Sequence, residues 1–301
     1  MKGGGKLKIR FKNWLWAWFF IAPTVIGVSV LNLWSVLRSV FFSFTEARGF
    51  ASPRFIGPGN YIRLFGDAEL IRAVFNTFIY AVMTVPVAVF LSLLVAALLN
   101  SKIKMKSLFR IVYFLPVISA PVAIALVWKW LYSREFGLIN NILALAGISG
   151  FDWLGDRGLV MFSISIVGIW SIVGYNMVIL LAGLQEIPVS MYEAAEIDGA
   201  NPVVKFFRIT IPMVSPTLFF VIVTATVSAL QMFDYTYMML DPNNLGPSFR
   251  YAQTIVYHFY RNTFQLYNRG YGSTVAVFLL GITLILTIIQ MRVQKKWVHY
   301  G

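Results

Sequence analysis

The sequence predicts an all-α membrane protein of six transmembrane helices, with a distinctive cytoplasmic loop between spans four and five. Three observations carry this. Apolar residues make up 58% of the 301-residue chain and charged residues only 12%, with mean hydropathy +0.73, whereas a water-soluble fold normally carries about 25% charged residues. Six stretches hold the roughly 20 apolar residues that a helix needs to cross a ~30 Å hydrocarbon core. The basic residues are also distributed unequally between alternate loops, as topology demands.

The first stretch, Trp14–Phe42, follows the basic run Lys6, Lys8, Arg10 and Lys12, as a signal peptide would. It is far longer than a signal-peptide core, and no small-residue cleavage site follows promptly. It is therefore read as a retained helix with its N-terminus inside. The remaining spans are Ala73–Leu99, Leu108–Tyr132, Leu159–Leu184, Val214–Leu240 and Ser273–Met291. Residues 1–13 then form a basic cytoplasmic tail, 14–291 the membrane domain and 292–301 a second cytoplasmic tail. With this orientation every lysine except Lys129 falls on the inner side, and the outer loops carry arginine alone. The net charge of +13 is thus an orientation signal and requires no nucleic-acid partner. Prolines inside the spans (Pro23, Pro86, Pro116, Pro121, Pro216) suggest kinked helices around a pathway. The outer segments Tyr61–Phe75 and Leu138–Ile148 suit short interfacial helices.

Little in the chain suits catalysis. Cysteine is absent, which excludes disulfides, thiol chemistry and thiolate metal sites. The two histidines, His258 and His299, lie far apart in no metal-ligand spacing, and there is no GxxxxGK phosphate loop. Asp234 is the only acid in any span, so an intramembrane carboxylate dyad is excluded. No catalytic residue, metal site or cofactor is expected in this chain.

The inner acids Glu186, Glu193, Glu196 and Asp198 all fall in one loop, residues 185–212. Ser190 suits an N-cap, with Glu193 three residues later completing a capping box. Met191 to Asp198 then forms a short helix that Gly199 ends. Pro202 opens a second helical piece whose Phe206, Phe207 and Ile209 suit the membrane surface, with Lys205 and Arg208 near the headgroups.

Glu193-Ala194-Ala195, Gly199 after three further residues, then Ile209 and Pro212, resembles the EAA signature (EAA-x3-G-x9-I-x-L-P) of bacterial ATP-binding-cassette importer permeases. The single departure is Ile211 in place of leucine. Phe55-Ile-Gly-Pro-Gly-Asn-Tyr61, Arg110-x4-Leu115-Pro116, Phe136-Gly-x-Ile-Asn140 and Asp198-Gly199-Ala200 are similar to the maltose, multiple-sugar and glycerol-phosphate branch. The resemblance covers nearly the whole chain. It implies that the loop is a coupling helix seated in a separate ATPase subunit, with Glu193, Ala194, Ala195, Asp198 and Gly199 as coupling residues. It also implies a second, similar permease, two ATPase subunits that bind ATP and Mg, and an extracytoplasmic solute-binding protein. The implied location is the bacterial cytoplasmic membrane, with both termini cytoplasmic.

A sugar pathway needs aromatic faces and hydrogen-bonding side chains within the spans. Ser228, Gln231 and Asp234 are spaced by three on span five, which places them on one helical face with Tyr235 beside them. Span four offers Trp170, Ser171, Tyr175 and Asn176, and span three Ser119. Gly168 and Ile172 differ from what the resemblance leads one to expect at pocket positions. Asp234 could pair instead with Lys129 or with a residue of the second permease. The expected function is a permease that moves a sugar, such as a di- or oligosaccharide, by ATP-driven alternating access. The alternatives are an ion-coupled secondary transporter, for which only Lys129, Asp234 and Arg38 offer titratable groups, a membrane scaffold, or an importer of glycerol-phosphate or another non-sugar solute.

Overall fold

The computed structural model of the chain describes residues 4–49, 51–101, 104–240 and 247–298. Two compact units emerge: residues 1–66 with 261–277, and residues 67–260 with 278–301.

In the first unit, α1 (Gly4–Val28) runs through a π-helical turn, Ser29–Leu33, into α2 (Trp34–Ser43). The apolar window within Trp16–Ser43 is not buried at all, so its surface is suited to lipid. Two short strands, β1 (Thr45–Glu46) and β2 (Arg54–Phe55), pair antiparallel and lead into α3 (Gly59–Phe65). The Phe55–Tyr61 motif does structural work here. Asn60 Nδ2 donates to the carbonyls of Ser43 (3.0 Å) and Thr45 (2.8 Å), and the Tyr61 and Ser43 hydroxyls meet at 2.8 Å. Gly57, at φ +60°, makes the turn between them.

The second unit opens with α4 (Ala68–Asn100), capped by Asp67, whose Oδ1 accepts from the amides of Glu69 and Leu70 at 2.9 and 3.1 Å. Next come α5 (Lys106–Ile118) and α6 (Pro121–Leu131), bent by 101° across Ser119–Ala120. Pro121 opens α6 and cannot continue the hydrogen-bond ladder of α5. Next along the chain is α7 (Leu138–Leu145), braced by Asn140, whose Oδ1 accepts from Phe151 N and Trp153 Nε1. The central helix is α8 (Val160–Gln185), which packs most extensively on α4. Small residues allow the approach: Ala88 and Ala96 on α4 are fully buried. At Gly174 of α8 a side chain would collide with the Tyr113 carbonyl of α5.

After α8 the chain forms α9 (Val189–Ile197), then α10 (Pro202–Lys205), a π-helical turn Phe206–Thr210, and α11 (Ile211–Leu230). Span five does not run straight through. Residues 231–233 leave the helix, and α12 (Asp234–Met239) restarts it. Beyond lie α13 (Pro247–Arg250) and α14 (Ile255–Tyr260). The last helix is α15 (Arg269–Gln294); in its second half Gln290 Nε2 donates to Thr226 Oγ1 of α11 at 3.0 Å.

Among the described residues, five helices are long and apolar enough to cross a membrane, and the bent α5–α6 pair, taken as one span, makes the sixth. The all-α membrane architecture agrees with the sequence. Span boundaries differ most in two places. Span two begins at Ala68, earlier than hydropathy suggests, because Asp67 caps it. Span five is continuous with the loop helix from Pro202 onward and is broken near its other end.

Candidate functional site

A cavity of about 490 Å³ lies within the second unit, among α4, the α5–α6 bend, α8 and the break in span five. Both helix breaks face it: Pro116, Ser119 and Pro121 from one, Gln231, Met232 and Phe233 from the other. Backbone freed from its ladder at membrane depth is tolerated where it lines a cavity or is covered by protein. Ser171, Tyr175, Ser228, Gln231 and Asp234 all line this space, as does Asn176. Trp170 does not; it lines a separate apolar groove beside Val87, Leu91 and Tyr113, and its ring meets Trp128 edge-on at 5.8 Å.

Ser228, Gln231 and Asp234 converge on the cavity, but a shared helix face is not the reason. The helix ends at Leu230, Gln231 sits at φ −96°, ψ 11°, and Asp234 opens α12. An acid at a helix start is favoured by the positive end of the dipole. Asp234 is solvent-exposed and belongs to none of the ion pairs recorded among the described residues, so Lys129 is not its partner.

Span two contributes Tyr80 and Thr84, which are not among the pathway residues expected from the sequence. Tyr80 explains Gly168: a Cβ at that position would collide with the Tyr80 hydroxyl, with ring carbons at 3.0 and 3.3 Å behind it. No local signal joins these two residues, since α4 and α8 are far apart in sequence. The bend in span three was foreshadowed by Pro116 and Pro121, whereas residues 231–233 contain neither glycine nor proline to announce a break.

The loop at 185–212 forms a helix and a sharp turn. The expected capping box is absent, because α9 begins at Val189 with Pro188 at its N-cap and no side-chain cap. Ser190 therefore lies inside the first turn and cannot cap it. The C-terminal stop is as expected. Gly199 adopts φ +74°, its amide donates to Glu196 O at 3.0 Å, and Ala200 N donates to Ala195 O at 2.9 Å. This pair of bonds is a Schellman ending, which requires the left-handed conformation that glycine adopts freely. Asn201 then caps α10, accepting from Val204 N at 2.8 Å.

Glu193, Ala194, Asp198 and Gly199 are exposed and Ala195 partly so. Beside them, Lys205 Nζ donates to Glu196 Oε1 at 2.7 Å, and the hydrogen bond together with the lysine charge holds the Glu196 carboxyl below its ordinary value. Of the residues expected at the membrane surface, Phe207 is exposed, while Phe206 packs partly against the core.

The sequence pattern described as "Binding-protein-dependent transport system inner membrane component" matches residues 68–299. The chain is 36% identical over 283 residues to the lactose transport system permease protein LacF of Rhizobium radiobacter, covering 93% of this chain and 94% of that protein. It is 32% identical over 296 residues to the sulfoquinovosyl glycerol transport system permease protein SmoG of Agrobacterium fabrum (95% and 94% covered). A similar likeness, 30% over 289 residues with 96% of each covered, links it to the sn-glycerol-3-phosphate transport system permease protein UgpA of Yersinia pestis. Its fold matches a chain in the crystal structure of a bacterial alginate ABC transporter in complex with an alginate pentasaccharide-bound periplasmic protein, with a TM-score of 0.84, 21% identity and 98% of each chain covered. With α4 to the end of α15 inside the matched pattern and relatives aligned over nearly their full length, the chain belongs to the binding-protein-dependent transport system inner membrane components, the non-catalytic permease subunits of ATP-binding-cassette importers.

Proposed function

We propose that this chain is the permease subunit of a sugar importer of the cytoplasmic membrane, carrying a neutral di- or oligosaccharide by alternating access. The observation that carries the reading is the cavity where two broken spans meet. It is lined by tyrosines and by hydroxyl, amide and carboxyl side chains, the mixture that saccharide recognition needs. Ser171, Tyr175, Ser228, Gln231 and Asp234 form the substrate pathway; Trp170 contributes to the apolar wall outside it. The lining contains no lysine, arginine or histidine, so a phosphorylated solute would meet Asp234 without a compensating cation.

The loop at 185–212 docks into an ATPase subunit, with Glu193, Ala194, Ala195, Asp198 and Gly199 at the contact. Two such ATPases bind ATP and Mg, a second permease completes the pathway, and an extracytoplasmic binding protein delivers the sugar. Both termini, including tails 1–13 and 292–301, are cytoplasmic, and membrane lipid surrounds the six spans. The test is to purify the complex gently, identify the co-purifying chains, and screen saccharides loaded on the binding protein for stimulation of ATP hydrolysis. A neutral saccharide should stimulate it; stimulation by glycerol phosphate alone would overturn the substrate assignment, and recovery of a transport-competent lone chain would overturn the whole reading.

A further inference from the structure

Asn176 stands near the middle of α8 and lines the cavity, yet its side chain is fully buried. Neither the oxygen nor the nitrogen of its carboxamide has a hydrogen-bond partner. Other buried asparagines in this chain are used differently. Asn76 Nδ2 donates to the carbonyls of Arg250 and Gln253, both at 3.0 Å, and Asn140 bonds through both ends of its amide. Asn60 fastens α2 to α3. An unpaired carboxamide in a membrane-crossing helix is costly, and a leucine would fill the position without that cost. The unmet capacity therefore points to a ligand group that arrives from the cavity.

The chemistry of the amide selects the ligand. A carboxamide presents a donor and an acceptor side by side, while each sugar hydroxyl both donates and accepts. Two neighbouring hydroxyls of a pyranose satisfy both ends at once. A phosphate or carboxylate oxygen accepts only, so it would meet Nδ2 and leave Oδ1 facing like charge. The ring of Tyr80, held against Gly168, and the hydroxyls of Ser171 and Tyr235 line the same space.

We propose that Asn176 is a specificity-determining residue that reads a pair of adjacent hydroxyls on a neutral saccharide, in the transport conformation that opens the wall around α8. This rests on the sugar-import reading above. It adds a residue that neither the helix breaks nor the spacing of polar residues on span five identifies.

The experiment uses the whole complex in lipid nanodiscs and proteoliposomes, with wild type, Asn176→Leu and Asn176→Ala. The probe is whichever neutral saccharide stimulates wild-type ATP hydrolysis, together with its monodeoxy analogues. Asn176→Leu should raise the thermal midpoint of the substrate-free complex, because it removes an unsatisfied group. Wild type should take up at least one deoxy analogue about tenfold less well than the parent sugar, and Asn176→Leu should treat the two alike. A lower midpoint for both variants, with discrimination against the analogues retained, would assign Asn176 to structure alone and overturn the inference. Absence of stimulation by any saccharide in the wild type would instead overturn the importer reading itself, and this inference with it.

Discussion

The Tyr192 hydroxyl meets Thr210 Oγ1 at 3.0 Å, which fastens the exposed loop helix α9 to the π-helical turn at the foot of span five. Thr210 is buried and Tyr192 partly so. From that turn α11 runs without interruption to the break at Gln231, so a push on α9 has a continuous helical path to the cavity. Tyr192→Phe removes this bond, worth about 1 kcal/mol, and Thr210→Val removes it together with the longer bond from Thr210 Oγ1 to the Lys205 carbonyl at 3.4 Å. Each should lower the sugar moved per ATP hydrolysed in proteoliposomes, and the double variant should be no worse than Thr210→Val alone. Additive losses would show that the two residues act separately.

Gly199 is surrounded by open space, so its requirement is conformational: φ is +74° and a Cβ there would touch nothing within 4 Å. Gly199→Val should cost about 1–2 kcal/mol of local stability and abolish uptake, whereas Gly199→Asn, which tolerates the left-handed region, should keep a measurable fraction. Uptake assays on membranes with matched complex levels decide this. Equal loss in both variants would mean that the proposed ATPase partner excludes any side chain at this point.

The Glu196–Lys205 pair gives the loop a pH dependence of known sign. The lysine holds the folded-state carboxyl below the ordinary 4.5, so the pair stabilises the loop above that value and the contribution is lost as pH falls through the folded-state pKa. Both the effect and its salt sensitivity are those of an exposed pair, hence small. Hydrogen exchange at residues 199–205, corrected for intrinsic rates, should accelerate below pH 4.5 in wild type. Glu196→Gln should remove that step; a step of equal size in this variant would assign it elsewhere.

Gly168→Ala places a methyl group against the Tyr80 hydroxyl and should destabilise the complex by about 1–3 kcal/mol. Because the nearest colliding atom is the hydroxyl oxygen, Tyr80→Phe should restore part of the thermal stability in the double variant. The comparison needs only thermal midpoints of purified complexes. A double variant as unstable as the sum of the singles would place the clash on the ring carbons at 3.0 and 3.3 Å.

Asp234 opens α12 at the cavity, exposed and in no ion pair among the described residues. Asp234→Asn keeps the shape and removes the charge. It should leave assembly intact while reducing substrate-stimulated ATP hydrolysis about tenfold, the scale of a lost charged hydrogen bond. Normal stimulation in both Asp234→Asn and Asp234→Ala would remove this residue from the proposed substrate pathway.

The sequence by itself determined the membrane class, the six spans and the position of the loop, because hydropathy is a sum over about 20 neighbouring residues and needs no tertiary contact. It also determined the Gly199 turn, since a left-handed position with glycine is a local property. Tertiary structure alone decided where the spans break and what surrounds the breaks. Nothing local at residues 231–233 ends a helix, so Ser228, Gln231 and Asp234 reach the cavity by a route that helical spacing does not describe. Pairing Tyr80 with Gly168, turning Trp170 outward and leaving Asn176 buried without a partner all depend on α4 and α8 lying side by side. Those facts are set by which helix packs against which, and that information is distributed over segments far apart in the chain.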